Sequence, residues 1–334
     1  MITVVGEALV DLVQAKGGTP VAHPGGSPAN VAVGLGRLGA AVRLVSSFGL
    51  DTYGELLMAH LAGSAVTVVP GSMRAGRTSV ARALLDGAGV ATYEFDIAWD
   101  LAAAVAEAAE ADSLLADWLT DGPQQCDDAA GPPVPASLLA DSLCLHTGSI
   151  AATLAPGAFT VRHLIDQARG RMSVSYDPNC RPSLMGDPES ARRRIESLVA
   201  LADVVKVSDE DLAWLHPHRD PAEVAADWLR SGPALVVVTL GAKGSYGVCR
   251  EGEVSLPATP VAVADTVGAG DAYTAGLLDA LRRRGLLGTT DLAARVTPAL
   301  LGELLREASL VSALTCARPG ADPPTAAEIR AHRG

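Results

Sequence analysis

The stretch Asp265-Thr266-Val267-Gly268-Ala269-Gly270-Asp271 sets two glycines and a carboxylate at the mouth of a predicted helix. Beyond Asp271, residues Tyr273, Leu277, Leu278 and Leu281 fall on one side at helical spacing. Arg282, Arg283 and Arg284 fill the last turn, and Gly285 stands where such a helix would stop. The preceding VAVADTV reads as the end of a strand. Strand, glycine turn and helix in that order aim backbone N–H groups and the positive helix end at one point, where a phosphate can sit. A carboxylate there would repel a resting polyphosphate. Asp271 therefore makes chemical sense as the group that takes a proton from a hydroxyl attacking that phosphate. The plainer role of an aspartate at this position is a helix cap, and taken alone the stretch favours it.

Other polar residues fall where they could join such a site. ITVVGEALVDL predicts a short buried strand running through Gly6 and Glu7 to Asp11. Past the carboxyl end of a strand in an open α/β sheet, Asp11 would face the ligand crevice and grip a polar substrate, or else be a surface-turn acid. In Gly25-Gly26-Ser27-Pro28-Ala29-Asn30, Ser27 and Pro28 read as an N-cap and the first helical position. Val31, Leu35 and Leu38 continue that helix until Gly39. Gly25 and Gly26 permit close approach to the backbone, and Asn30 offers a hydroxylated ligand both donor and acceptor, or braces the loop. Further on, Thr147-Gly148-Ser149, the trio Asp177, Asn179 and Arg181, the run Lys206 to Asp211, and Thr239 to Gly244 each follow a predicted strand. Arg181 is the best suited of these to neutralise charge on a moving phosphoryl group.

The elements that must hold these residues alternate. LCLHTGS, a helix through VRHLIDQAR, MSVSYDPN, a helix through ARRRIESLVA, DVVKVS, a helix over 223–231 and ALVVVTLG follow one another. Continuous apolar strands between helices predict a mostly parallel sheet covered on both faces, with the polar residues along one edge. RTSVARALLDGAGVATYEFD predicts two strands around Asp86-Gly87, with Tyr93 and Phe95 opposite in face to Glu94 and Asp96. With an earlier DLVQ…PVAH hairpin they would form a small separate sheet acting as a lid, or else an edge of the central sheet. Residues 99–119 read as an Ala-rich helix, and DGPQQCDDAAGPPVPAS, with four prolines, as a surface excursion. Gly34 to Gly39 satisfies GxGxxG, but its strand follows the glycines instead of preceding them, so a dinucleotide fold is rejected. No GxxxxGK[ST] occurs, which removes the P-loop route to phosphate.

With 334 residues, 49% of them hydrophobic, the chain can bury a large core. Its net charge of −12 and lack of any Lys/Arg-rich stripe argue against nucleic acid as a partner. An anionic nucleotide would need local backbone dipoles, and a divalent cation, to approach. Cys126, Cys144, Cys180, Cys249 and Cys316 are odd in number and lack any CxxC, so they read as reduced thiols of a cytoplasmic protein. No basic leader opens the sequence and no apolar run approaches the roughly 18 residues of a membrane span.

Gly25-Gly26-Ser27-Pro28-Ala29-Asn30 with Gly39 and Gly49, followed at this separation by Asp265 to Asp271 with Ala275-Gly276, resembles the PfkB-type, or ribokinase-like, carbohydrate kinases. The resemblance extends over nearly the whole chain. GGSPANVAVGLGRLG, LHTGS, DPNCR, KVSDED and ALTCARPGA are most similar to the fructokinases of that family. It implies a single ribokinase-like domain over 1–334, a three-layer α/β/α fold with a mostly parallel central sheet, and a β-sheet lid from about 11–24 and 66–97. The implied reaction is ATP-dependent phosphorylation of a primary sugar hydroxyl, most simply D-fructose to fructose 6-phosphate. By carry-over Asp271 is the base, the amides of Gly268, Ala269, Gly270 and Asp271 form an anion hole, and Arg181 assists. Asp11, Gly25, Gly26, Asn30 and Tyr93 would hold the sugar. Lys206, Ser208, Thr239, Gly241, Gly244 and Ser309, with Gly268 and Gly270, would hold the nucleotide.

The family also implies Mg²⁺, with Asp211 near it, often K⁺ on backbone carbonyls near Asp265 and the Arg318-Pro319-Gly320 loop, and a homodimer through the lid. Two departures stand out. The family's N-x-x-E element is here Ser208-Asp209-Glu210-Asp211, and a frequent asparagine near the last helix is Ser309. Two rivals stay open: a kinase for 2-dehydro-3-deoxygluconate, whose carboxylate Arg74, Arg77 or Arg82 could meet, and a non-catalytic sugar- or nucleotide-binding regulator.

Overall fold

Strand β1 (Ile2–Val5) pairs in parallel with β4 (Val42–Val45) on one side and β10 (Cys144–Gly148) on the other. Beyond β4 lies β6 (Val66–Val68), and beyond β10 follow β11 (Ser173–Asp177), β12 (Val204–Ser208) and β13 (Leu235–Thr239), all parallel. Antiparallel β14 (Ser245–Cys249) and β15 (Gly252–Leu256) complete a nine-stranded sheet. This computed structural model describes residues 1–14, 19–85, 91–102, 104–106 and 136–333, with backbone alone at 83–85, 91–93, 136–137 and 333. The expected Asp86-Gly87 turn, the Pro-rich excursion, Cys126 and most of the expected 99–119 helix lie outside the described residues. Among the described residues, no helix is long and apolar enough to cross a membrane.

The strands read as continuous apolar runs because they are buried on both faces. In β13, Leu235 and Val237 pack into one core while Val236 and Val238 pack into the other. The first core takes Val31 and Leu35 from helix Ser27–Arg37, Leu277 and Leu281 from helix Ala269–Arg283, and Leu301 and Leu305 from helix Pro298–Cys316. The second takes Leu164 from helix Gly157–Ala168, Ile195 from helix Pro188–Val199 and Trp228 from helix Pro221–Ser231. Sheet and two helical layers make the α/β/α sandwich the alternation predicts.

From β1 the chain first builds toward β6 and then returns to β10 on the opposite flank. Strand order reverses at β1/β10, the place where the carboxyl ends of an open sheet leave a ligand crevice. A separate four-stranded sheet stands apart from the main one: β3 (Val21–Gly25), β2 (Leu9–Gln14), β8 (Val80–Leu85) and β9 (Ala91–Asp96), in that order. Its first pair spans 9–25. Of the stretch 66–97, only 80–96 enters it, because Val66–Val68 continues the central sheet after helix Thr52–Gly63. Two further short strands, β5 (Phe48–Gly49) and β7 (Met73–Arg74), pair with each other.

Asp51 ties this small sheet to the body. Its carboxylate accepts from Gly54 N (2.8 Å) as the cap of helix 52–63, and from Thr78 N (2.8 Å) and Thr78 Oγ1 (2.6 Å) just ahead of β8. Asp51→Ala removes the cap and strands two donors, and is expected to lower stability by about 2 kcal/mol. Thermal unfolding would read this as a lower Tm, and an unchanged Tm would show that the bonds carry no weight.

Candidate active site

Helix 269–283 begins where the backbone can turn sharply. Gly268, its N-cap, has φ 73°, and a Cβ there would lie 2.6 Å from the Ala321 side chain. The Ala269 amide is drawn to the Thr266 carbonyl (3.2 Å). Those of Gly270 and Asp271 have no acceptor among the described residues, as first-turn amides without an intrahelical partner. A Cβ at Gly270 would sit 2.9 Å from Lys206 Nζ, so the bare glycine leaves room for an ammonium close by.

Asp271 lies in the first turn and does not cap it. Its Oδ1 accepts from Ser27 Oγ (2.7 Å) and its Oδ2 from Asn30 Nδ2 (2.8 Å). Only 8% of the residue is exposed. Burial pushes the carboxyl above its ordinary value, the two hydrogen bonds oppose that, Asp177 adds to it and Lys206 offsets it. Ser27 also departs from its expected role. Gly26, with φ 98°, occupies the N-cap, the helix starts at Ser27 itself, and no side chain caps it. A Ser-Pro pair signals a cap locally, but here the hydroxyl bonds to a carboxylate 244 residues away.

The sugar-side residues expected from the sequence converge beside this pair. A Cβ at Gly25 would be 2.1 Å from Asp11 Oδ2, and one at Gly26 2.5 Å from the Glu7 carbonyl. Asp11 and His23 pair across β2 and β3. Burial pushes Asp11 up to about 6, opposed by Arg181 and His23 and reinforced by Asp271. Glu7, which sequence reading passed over, is buried at the carboxyl end of β1 and pushed up to about 7 by that burial, against the pull of Ser149 and Arg181. Its Oε2 accepts from Ala151 N (3.2 Å). Its place directly after a buried strand, in the same run as Asp11, was the available signal. Arg181 Nη1 donates to Asn179 O (3.1 Å), Asn179 Oδ1 (2.8 Å) and Cys180 O (2.9 Å), which fixes the arginine at the crevice rim. Tyr93 pairs with Ala83 through its backbone, and its side chain lies outside the described residues.

On the opposite flank, Lys206 Nζ donates to Asp177 Oδ2 (3.0 Å) in a buried ion pair, to which Thr274 Oγ1 adds a bond (3.2 Å). Burial alone would lower the Lys206 pKa, but Asp177, Asp211 and Asp271 outweigh it and hold the pKa above its ordinary value. Ser208 and Asp211 form a capping box: Ser208 Oγ accepts from Asp211 N (3.0 Å) and Asp211 Oδ2 from Ser208 N (3.3 Å). Asp211 Oδ1 accepts from Cys180 N (2.8 Å), so backbone amides hold both oxygens of the expected metal neighbour. Thr239 is the register partner of Ser208. Gly241 (φ 55°) and Gly244 (φ 111°) shape the turn after it, and a Cβ at Gly244 would meet the Leu256 carbonyl at 2.0 Å. Ser309 bonds the Thr259 hydroxyl (3.0 Å) on the loop leading to the glycine turn. Asp265 accepts from Val267 N (3.0 Å) and Gly320 N (2.8 Å), joining the two loops that were expected near a monovalent ion. Among the described residues, no group of three or more His, Cys, Asp or Glu side chains could hold a metal.

A buried carboxylate in the first turn of a helix with open N-terminal amides, beside a small separate sheet, is an arrangement suited to transferring an anionic group to a hydroxyl. The pfkB family carbohydrate kinase profile matches residues 1–121 and 127–328, and the chain belongs to that family, with its ribokinase-like fold. A fructokinase of Rhizobium leguminosarum bv. trifolii is 34% identical over 293 residues, covering 86% of this chain and 81% of the relative. The structure of a Xylella fastidiosa fructokinase with bound ATP superposes with a TM-score of 0.78 at 27% identity, covering 99% of this chain and 97% of that one. The Vibrio cholerae O395 fructokinase in its fructose, ADP and calcium ion bound form gives a TM-score of 0.73 at 28% identity, with the same coverage.

Gly25→Ala tests the sugar side directly, since the added methyl must displace the Asp11 carboxylate. It is expected to lower kcat/KM for the sugar about 100-fold, as a misplacement of about 1 Å can, with the KM for ATP unchanged. Steady-state kinetics with each substrate varied in turn would check it, and an equal loss on both substrates would contradict it.

Proposed function

We propose that this chain is an ATP-dependent fructokinase acting in the cytoplasm, where ATP is supplied. The observation that carries the reading is the contact of Asp271 with Ser27 and Asn30 beside the open amides of Gly270 and Asp271. A proton acceptor and an anion-binding helix end belong together where a hydroxyl attacks a phosphoryl group. The primary hydroxyl of fructose loses its proton to Asp271 as its oxygen forms the new bond to the γ-phosphorus. The bond from that phosphorus to the bridging oxygen breaks, and ADP leaves. Asp271 suits this task because burial holds its pKa above the ordinary carboxylate range. Asp11, Gly25, Gly26 and Asn30 orient the sugar. Lys206, Gly268, Ala269 and Gly270 surround the transferred group, and Arg181 offers charge at the rim. Thr239, Gly241, Gly244 and Ser309 lie along the nucleotide side.

With no cluster of side-chain ligands among the described residues, Mg²⁺ would ride on the ATP phosphates and water, neutralising charge there. Potassium fits the carbonyls of the Asp265 and Arg318–Gly320 loops, which Asp265 clamps together, and would add positive charge beside the anion site. Among the described residues the exposed strand β3, with Val21 at its surface, is where a second copy would meet the lid.

The acidic-sugar reading is less favoured. Arg74 is bonded to Ser47 Oγ (3.2 Å) and the Asp100 carbonyl (3.1 Å), and Arg77 is paired with Asp96. Arg82 is exposed and lies in register with Glu94. Of the three arginines, two are thus engaged, and an acidic sugar would rest on Arg82 alone.

Asp271→Asn is expected to keep the fold and lower turnover by roughly two to four orders of magnitude. In the wild-type enzyme kcat/KM should fall as pH drops through the raised pKa of Asp271, since only its ionised form accepts the proton. An ATP-consumption assay with fructose, other neutral sugars and 2-dehydro-3-deoxygluconate checks both chemistry and substrate. Near-normal turnover of the variant would refute the base, and preference for the acidic sugar would refute fructose.

A further inference from the structure

We infer that Ser27 is a positioning residue for proton transfer: its hydroxyl fixes Asp271 Oδ1 and so leaves Oδ2 as the oxygen that receives the sugar's proton. This rests on the reading of Asp271 as the base. Ser27 is free for the task because Gly26 supplies the N-cap and the helix closes on it through Asn30 N to Gly26 O (2.8 Å). A serine hydroxyl has one proton, and here it is given to a carboxylate at 2.7 Å, the spacing of a charge-assisted bond.

The two donors to Asp271 differ. Ser27 is 7% exposed and its hydroxyl is shut in between two helices. Asn30 is only half-buried, and its amide keeps a second N–H and a carbonyl with which to turn toward a sugar hydroxyl. On this inference substrate displaces the less buried Asn30 from Oδ2 while Ser27 stays on Oδ1. The separation is built into the packing. A Cβ at Gly34 would lie 2.7 Å from the Ala275 methyl, so the two helices approach closely enough for a side chain as short as serine to reach across. Asp177 and Lys206 from the sheet and Asp11 from the lid also face Asp271, and none of them is altered by changing Ser27.

The test is the pH dependence of kcat and of kcat/KM for fructose in wild type, Ser27→Ala, Ser27→Cys and Ser27→Thr. Losing a donor to the ionised form raises the pKa of the base. The acid limb of Ser27→Ala should move up by about one pH unit. Turnover below the wild-type limb should fall about tenfold, while the KM for fructose stays within about twofold. Cysteine, near in size but a weak donor, should reproduce the shift with packing retained, and threonine should restore the wild-type limb. An acid limb that stays in place, a loss confined to KM or to Tm, or a threonine variant that follows alanine would overturn the inference. Asp271→Asn separates the two levels: if it stays active the base itself is wrong, whereas if it is inactive and Ser27→Ala is unshifted, only the positioning role fails.

Discussion

A negative charge is buried between two helices that come from opposite ends of the chain. Asp271 sits at the start of helix 269–283, and the donors that make its burial tolerable, Ser27 and Asn30, sit at the start of helix 27–37. An unpaired buried carboxylate would cost several kcal/mol, so the helices must meet at these two turns and not one turn along. Gly34 against Ala275 permits that approach, and Gly276 against Ala308 does the same on the other side of helix 269–283. The first of those helices follows the β2–β3 hairpin of the lid, and the second follows the glycine turn. Fixing them to each other brings the Gly25 to Asn30 loop and the glycine turn before Asp271 to one point.

The acids around that point outnumber the cations before any ligand arrives. Lys206 is held by Asp177 and is also under the influence of Asp211 and Asp271, while Arg181 faces both Glu7 and Asp11. In a chain of net charge −12, such a site attracts a polyphosphate weakly by field alone. The helix end and its open amides act only at contact distance. On the proposed reading, selection for phosphate would be geometric, by the bare glycine turn, and further positive charge would have to come with the nucleotide.

The sheet, its two helical layers and the glycine turn could be read from the sequence because each leaves a local trace. Apolar runs such as ALVVVTLG mark strands buried on both faces. Gly268 and Gly270 mark a left-handed cap and a position with no room for a side chain. What local pattern could not give is a partner far along the chain. Ser27 followed by Pro28 is a sound cap signal, yet the positive φ of Gly26 moved the helix start by one residue and released the hydroxyl for Asp271. Nor could local pattern give the bond from Cys180 N to Asp211, whose carboxylate also accepts from Ser208 N at the start of a short helix. The small separate sheet was legible as a period-two pattern, whereas Val66–Val68 carries that pattern too weakly to show which sheet it joins.

Asp11 carries the proposed reading one step further. Among the described residues no hydrogen bond reaches its carboxylate, although it is largely enclosed, and burial is the largest influence on its pKa. Arg181 acts on it at a distance while its Nη1 remains tied to Asn179 and Cys180, and the same guanidinium must also serve Glu7. One cation at the rim thus faces two buried carboxylates, neither of which it fully stabilises as an anion. The hydroxyls of a neutral sugar are donors of the kind Asp11 lacks, and each bond they make favours its ionised form. A carboxylated sugar would bring a third negative charge to the same arginine. On the proposed reading a polyol would supply the donors that Asp11 lacks, and the energy of those bonds would be released where the reacting hydroxyl must be held.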